Sequence, residues 1–314
     1  MSKKVLIIMD PIESIDIKKD TTYQLILSAQ EFGYKVSYLI PETLSINSNG
    51  PAGKIGDLKI NKKNDPFFKI SNIKSKQLSN FDYILMRKDP PVDNNYIYIT
   101  QILDSINQKN SKIINPGFAL RNHNEKLITL NFPKYIPESL VSCSKEDIQK
   151  FRNLHKNIIL KPLNLMGGRS VYFLEEKDKN FNVILEEITN MGKNYILAQQ
   201  YIKEASIGDK RIIVINGEVY KEAVIRKPNK NDHRSNLAAG GTIKKYLLNK
   251  KELNICNEIA NYLKNENIFF AGIDMIGDKI TEINITSPTC ISEINKFHNI
   301  DLGMKFWEKI NEFN

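Results

Sequence analysis

The chain has 314 residues, 41% hydrophobic and 26% charged, with 45 Lys and Arg against 36 Asp and Glu for a formal net charge of +9. That composition belongs to a globular protein of two to three structural units, and no apolar run approaches the roughly 20 residues of a membrane span. Three scattered cysteines and four histidines without HExxH or paired spacing exclude a disulfide framework and a zinc-enzyme pattern, and fit a reducing compartment.

The opening MSKKVLIIMDP has basic residues and a short apolar run, as a signal peptide does. Asp10 and Pro11 break the run early and no small-residue cleavage site follows. Val5 to Met9 therefore reads as a first buried strand, and the protein is expected to stay in the cytoplasm. A helix is predicted from Thr22 to Phe32, closed by Gly33. YKVSYLI is a second strand, FDYILMRKD a further apolar run ending in charge, and SKIINP a short strand before Pro116. Strands alternating with helices argue for a parallel, doubly wound sheet, whose ligands sit at the carboxyl ends of strands. Two of these strands end in Asp-Pro, at Asp10-Pro11 and Asp89-Pro90, although Asp-Pro also simply stops strands. The Asn- and Lys-rich segment 46–80 is expected to be a surface excursion.

After about Arg121 short strands, hairpin signals and Gly-rich turns take over, with helices expected near Lys145–Asn153 and Leu253–Lys264. Asn216-Gly217, between RIIVI and EVYKEAVIR, is a type I′ hairpin signal. A mixed antiparallel unit is thus expected to follow a parallel one. The lysines are dispersed among acids without a basic tail. The charge is accordingly incidental or an aid to anionic substrates, rather than a nucleic-acid footprint.

Four stretches carry chemistry. In IILKPLNLMGGRSVYFL, Lys161 ends a strand and Gly167-Gly168 precede the next one. Such a loop brings backbone N–H groups close to a phosphate, yet taken alone it reads equally as a plain Gly-Gly hairpin. It lacks the Walker A and GxGxxG spacings. In RNHNEKLIT, Lys126 lies early in an expected helix, whose amino end attracts anions. In AGIDMIGDKITEINITSPT, two apolar runs flank a turn at Gly277-Asp278-Lys279. Pairing Ile276 with Ile280 and Asp274 with Glu282 puts Asp274, Glu282 and Asn284 on one face. Like charges opposed across strands repel, and a divalent cation removes that objection. The hard oxygen donors suit Mg²⁺ or Mn²⁺ held together with phosphates. In IRKPNKNDHRSNLAAGG, Arg226 ends a strand, and Arg234, Asn236, Gly240 and Gly241 sit in a polar loop able to take a phosphate or carboxylate.

Together MDPIESIDIKKD, ILMRKDPPVD, NEKL, ILKPLNLMGG, DKRIIVINGEV, RSNLAAGG and GIDMIGDKITEINITSPT occur in the order seen in the bacterial glutathione synthetases, a branch of the ATP-grasp carboxylate–amine ligases. The chain resembles that family from Val5 to about Glu293. The resemblance implies an α/β pre-ATP-grasp parallel-sheet domain over residues 1–122, then a two-subdomain, α+β ATP-grasp fold with a lid over 123–200 and a metal-bearing subdomain over 201–314. It implies an ATP-dependent ligase joining γ-glutamylcysteine to glycine through an acylphosphate, working as a homo-oligomer, commonly a tetramer, with no nucleic-acid or membrane partner. Lys126, Lys161, Gly167 and Gly168 would meet ATP phosphates, Gln199, Gln200, Tyr201 and Ile202 the adenine, and Asp209 the ribose. Asp274, Glu282 and Asn284 would hold the metal ions. Arg211 and Arg226, with Lys161, would face the transferring phosphate. Asp10, Arg87, Asp89, Arg234, Asn236, Gly240 and Gly241 would bind the peptide and glycine. Departures are Thr21-Thr22 in place of serines, Arg169 in place of a smaller residue, and Ser292 in place of an arginine, which touches substrate affinity. Cys290 is expected to be a packed thiol. Alternatives are another ATP-grasp peptide ligase, a non-catalytic nucleotide-binding relic, or a basic nucleic-acid binder.

Overall fold

The structure is a computed structural model that describes residues 2–61, 66–106, 111–228 and 242–312. Its first sheet has seven strands: β1 (Lys4–Ile8), β2 (Lys35–Leu39), β3 (Leu44–Asn47), β4 (Gly50–Ile60), β5 (Phe68–Gln77), β6 (Tyr83–Met86) and β7 (Lys112–Ile114). Strands β2, β1, β6 and β7 pair in parallel. The crossovers carry α1 (Thr21–Glu31) and α2 (Asn94–Asp104), whose first turns are capped by the Asp20 and Asp93 carboxylates. Residues of β1 are buried on both faces, Val5 and Ile7 entering one core and Leu6 and Ile8 the other. That double burial is why the run is continuously apolar.

The segment 46–80 is not a surface excursion. β4 pairs antiparallel with β2, β3 and β5, so the sheet is mixed rather than all-parallel. Most of β4 is buried, but its apolar residues Ala52, Ile55, Leu58 and Ile60 are separated by Gly, Lys and Asp and keep no period of two, so the composition masked a strand.

After α3 (Gly117–Asn122), a second, antiparallel sheet holds β8 (Ser139–Ser142), β9 (Ile158–Pro162), β10 (Tyr172–Leu174) and β11 (Ile196–Gln200) in the order β10-β9-β11-β8. Two helices cover it, α4 (Lys145–His155) and α5 (Phe181–Ile188). Its core of Ile148, Ile158, Leu160, Leu174, Phe181 and Leu185 is separate from the others.

The third sheet contains β12 (Asp209–Ile215), β13 (Glu218–Val219), β14 (Glu222–Lys227), β15 (Thr242–Leu247), β16 (Phe270–Ile276) and β17 (Lys279–Asn284), ordered β15-β14-β12-β16-β17 with β13 paired to β12. Asn216 and Gly217 have φ of 51° and 78°, as the type I′ reading requires. Helices α6 (Lys250–Asn265), α7 (Ile291–His298) and α8 (Leu302–Glu312) complete the chain.

The first and third sheets share their cores. Ile212, Ile273 and Ile283 pack in the cluster that holds Leu6, and Ile213 and Phe270 in the one that holds Val5. The buried amide of Asn115 fastens the junction: its Nδ2 donates to the carbonyls of Phe270 and Ile285, and its Oδ1 accepts from Phe269 and Phe270 N–H. No helix among the described residues is long and apolar enough to cross a membrane.

Candidate active site

The hairpin β16–β17 turns at Gly277-Asp278 alone, with Ile276 opposite Lys279 and Met275 opposite Ile280. This differs from the three-residue loop expected. A bulge between Asp274 and Met275 restores the register, so Asp274 still faces Glu282, with Asn284 two residues further on. One extra residue in β17 therefore leaves the polar face where the alternation puts it.

Asp274 is 3% exposed and satisfied by protein groups. Its Oδ1 accepts from Arg211 Nε at 2.6 Å, and its Oδ2 accepts from Arg211 Nη2 at 3.0 Å and from Asn284 Nδ2 at 3.2 Å. Arg226 Nη2 lies 2.9 Å from the same Oδ2, without the alignment of a hydrogen bond, and its Nε donates to Asp209 Oδ1 at 2.6 Å. Gly272 makes this possible. A Cβ there would stand 3.1 Å from Arg211 Cδ and 3.4 Å from its Nε, so only glycine leaves the guanidinium its full room. Thr289 fixes the far side of Arg211, its Oγ1 accepting from Nη1 at 3.1 Å.

The two buried carboxylates titrate in opposite directions. Burial pushes Asp274 up, but Arg211 and Arg226 together override it and hold it well below the usual carboxylate range. Asp209 has burial and the charge of Asp274 against it and Arg226 as its main support, and is pushed up. Burial likewise raises the Cys290 thiol, which is 2% exposed, so it is a packed thiol rather than a nucleophile.

Lys126 does not begin an α-helix. It caps a 3₁₀ helix over Leu127–Asn131, and the Asn124 Oδ1 accepts from the N–H groups of Lys126 and Leu127. Its buried ammonium lies 3.0 Å from Glu282 Oε1 and donates to Leu165 O at 2.8 Å. Its neighbour Glu125, 7% exposed, accepts from the N–H groups of Ile285 and Thr286 and from Thr286 Oγ1, which ties this turn to the end of β17. Lys161 lies inside β9, one residue before its end at Pro162, and donates to Gln199 Oε1 at 2.8 Å. Burial, aided by the nearby charge of Lys126, lowers its pKa against the pull of Glu282.

These groups converge on an open cleft between the second and third sheets. All of Lys126, Lys161, Gly167, Gly168, Gln199, Gln200, Tyr201, Ile202 and Asp209 line it, and so do Asp274 and Glu282. Arg211, Arg226 and Asn284 stand behind that wall. Asp10, Arg87 and Asp89 lie together elsewhere, at the carboxyl ends of β1 and β6. Asp10 accepts from Asp89 N at 2.9 Å and from Lys88 Nζ at 3.3 Å. Arg87, 5% exposed, donates to Thr22 Oγ1 and Pro288 O and leaves its Nη1 without a partner. Arg234, Asn236, Gly240 and Gly241 lie outside the described residues. Ser292 is buried in the first turn of α7, its Oγ 3.4 Å from Asp20 O.

Sequence reasoning missed the apolar walls Ile159, Ile276 and Met166, the hold of Thr289 on Arg211, and Glu125. Ile159 was legible as the residue alternating out of the core between Ile158 and Leu160. Thr289 and Glu125 act across large sequence separations and leave no local signal.

The donor set fits a divalent cation. Two carboxylates and an amide share one face of a hairpin, and the amide of Asn284 spends its N–H₂ on Gly272 O and Asp274, leaving its oxygen unused by those bonds. Hard oxygens of this number, completed by phosphate oxygens, are what Mg²⁺-type ions take.

The family models of the prokaryotic glutathione synthetase match the chain twice, the N-terminal domain over residues 3–121 and the ATP-grasp domain over residues 125–299. The chain is 42% identical over 313 residues to a glutathione synthetase of Vibrio vulnificus (strain YJ016), covering 99% of this chain and 98% of that one. It is 42% identical over 298 residues to one of Buchnera aphidicola subsp. Baizongia pistaciae, covering 95% and 92%. Among solved structures it is similar to a D-cycloserine synthetase, with a TM-score of 0.69 at 10% identity over 98% of this chain and 99% of that one. It is also similar to a RimK domain ATP-grasp protein of Sphaerobacter thermophilus, with a TM-score of 0.62 at 14% identity over 98% of each. The fold is ATP-grasp, and the chain belongs to the prokaryotic glutathione synthetase family.

Proposed function

We propose that the cleft between the second and third sheets binds ATP with a divalent cation, and that the chain uses it to join γ-glutamylcysteine to glycine. The chain is a glutathione synthetase by family, an ATP-dependent carbon–nitrogen ligase. The observation that carries the site reading is the convergence of Lys126, Lys161, Asp274 and Glu282 on one cleft.

In this reading Lys126 and Lys161 hold the phosphates from two sides, and the 167–168 glycines approach them by backbone. Gln199 to Ile202 line the adenine end, against Ile159. The peptide carboxylate attacks the γ-phosphate of ATP, giving an acylphosphate and ADP. The glycine amine then attacks the acyl carbon and phosphate leaves. Asp274, Glu282 and Asn284 would hold the metal, Mg²⁺ or Mn²⁺, which when bound offsets phosphate charge. Arg211 and Arg226 stand behind Asp274, and the Nη2 of Arg226, without an aligned acceptor, has hydrogen-bonding capacity to spare for an oxyanion that reaches past that wall. The separate core of the second sheet supports treating residues 123–200 as a lid that keeps water from the acylphosphate.

The peptide and glycine fit the carboxyl ends of β1 and β6, where Asp10, Arg87 and Asp89 meet the Pro288 segment. The use of ATP and the scattered, odd-numbered cysteines Cys143, Cys256 and Cys290 support a cytoplasmic protein. A homo-oligomer, tetrameric by resemblance, belongs to the same proposal.

The test is phosphate release from ATP and Mg²⁺, with γ-glutamylcysteine and glycine added singly and together. Release only with both, with glutathione formed, supports the reading. Release with other peptide or amino-acid pairs keeps the cleft and overturns the substrates. No release under any condition overturns the activity.

A further inference from the structure

Apart from Arg169, each cation around the cleft has at least one protein partner, although Arg226 keeps its Nη2 without an aligned acceptor. Lys126 is held by Glu282 and Leu165 O, Lys161 by Gln199, Arg211 by Asp274, and Arg226 by Asp209. Arg169 lines the cleft, and its side chain makes no hydrogen bond or ion pair with a described residue. An arginine fork left open beside a cavity is a site for a planar or tetrahedral anion.

Its place along the cleft follows from strand register. In β9 and β11, Ile158 stands opposite Gln200 and Lys161 opposite Leu197, so the Gln200 to Ile202 end and the Lys161 end of β9 lie about 10 Å apart at 3.3 Å per residue. Strand β10 begins at Tyr172, opposite Leu160, so the loop 163–171 closes over the Lys161 end. Leu165, early in that loop, is tied through its carbonyl to Lys126. Gly167, Gly168 and Ser170 have φ of 68°, 76° and 53°, and Arg169 N donates to Met166 O at 3.2 Å. That run of left-handed residues folds the loop back on itself and brings Arg169 to the cleft.

We infer that Arg169 is a nucleotide-binding residue of this chain, donating to the phosphates of the bound nucleotide from the glycine loop, opposite Lys126. The inference rests on the nucleotide reading of the cleft. It adds a cation carried on a loop, so its contact forms as the loop settles on the nucleotide. An arginine in this place stabilises di- and triphosphates and is indifferent to adenosine.

Calorimetric titration of the full chain with ATP and Mg²⁺, ADP and Mg²⁺, AMP and adenosine tests it, on the parent, Arg169→Ala and Arg169→Lys. Arg169→Ala is expected to weaken ATP and ADP about tenfold, as loss of a charge-assisted contact does, with AMP and adenosine unchanged. Arg169→Lys is expected to recover part of the loss. Because the side chain is exposed, the melting temperature without nucleotide is expected to match the parent's. Unaltered ATP affinity in Arg169→Ala, or an equal loss for adenosine, overturns the assignment. A parent that binds no nucleotide overturns the cleft reading itself, a result that the parent titration alone reveals.

Discussion

Arg211 on β12 and Asp274 on β16 stand opposite each other and make a two-pronged contact, Nε to Oδ1 at 2.6 Å and Nη2 to Oδ2 at 3.0 Å. Both are buried, and Arg226 adds a second positive charge beside the same carboxylate. The pair therefore holds the third sheet together at the place where the cleft gathers its negative charge.

Asp274→Asn leaves Arg211 buried without its counter-charge. The expected cost is about 3–5 kcal/mol of stability by urea unfolding, together with loss of ligation. The pH dependence follows from the sign of the shift. A carboxyl lowered from 3.8 contributes stability that is present above that value and is lost as pH falls through the folded pKa. The gap between parent and variant should thus narrow below about pH 4 and stay constant from pH 5 to 8. A gap that widens on acidification contradicts the assignment.

Glu282→Gln keeps the shape of the side chain and removes the charge that faces Lys126. Ligation at saturating ATP is expected to fall at least about 100-fold. Excess Mn²⁺ should recover part of it, and the circular dichroism spectrum should be that of the parent. Turnover within twofold of the parent argues against Glu282 as a metal donor.

Lys161→Met is expected to weaken ATP about 10- to 100-fold, read as Kd by titration. Burial lowers the Lys161 pKa, so the folded protein releases this proton before the unfolded chain does. Between the folded and unfolded values stability rises with pH while ATP affinity falls, because phosphate needs the ammonium. The parent should lose ATP affinity on the alkaline side, below pH 10.5, and the Met variant should show no such decline.

Asn115→Ala removes four hydrogen bonds to Phe269, Phe270 and Ile285 from the junction of the first and third sheets. Unsatisfied backbone groups in a dry interface lead us to expect about 2–4 kcal/mol of destabilisation by denaturant titration. A loss below about 0.5 kcal/mol would mean that water replaces the amide.

The strands β1, β2, β6 and β7 and the helices α1, α4 and α6 were legible because each carries its own period and its own stop: Gly33 after α1, Asn216-Gly217 between β12 and β13, the Asp-Pro ends. The face shared by Asp274, Glu282 and Asn284 was legible for the same reason, since alternation along a strand is local. The segment 46–80 was not. Its strand β4 buries Pro51, Gly53 and Gly56 beside only four apolar side chains, so no continuous or alternating apolar run announces it.

What residue order alone determined is the set of short-range patterns, together with the motif order that identifies the family. Tertiary structure decided the rest. It alone brought Lys126 to Glu282 and Glu125 to Thr286, pairs more than 150 residues apart. It gave Asp274 to two arginines instead of leaving it bare, put a 3₁₀ helix rather than an α-helix after Lys126, and set Arg169 among the residues that line the cleft. Each of these depends on which strands become neighbours, and that is settled by burying two shared cores at once, a requirement that no local stretch of sequence states.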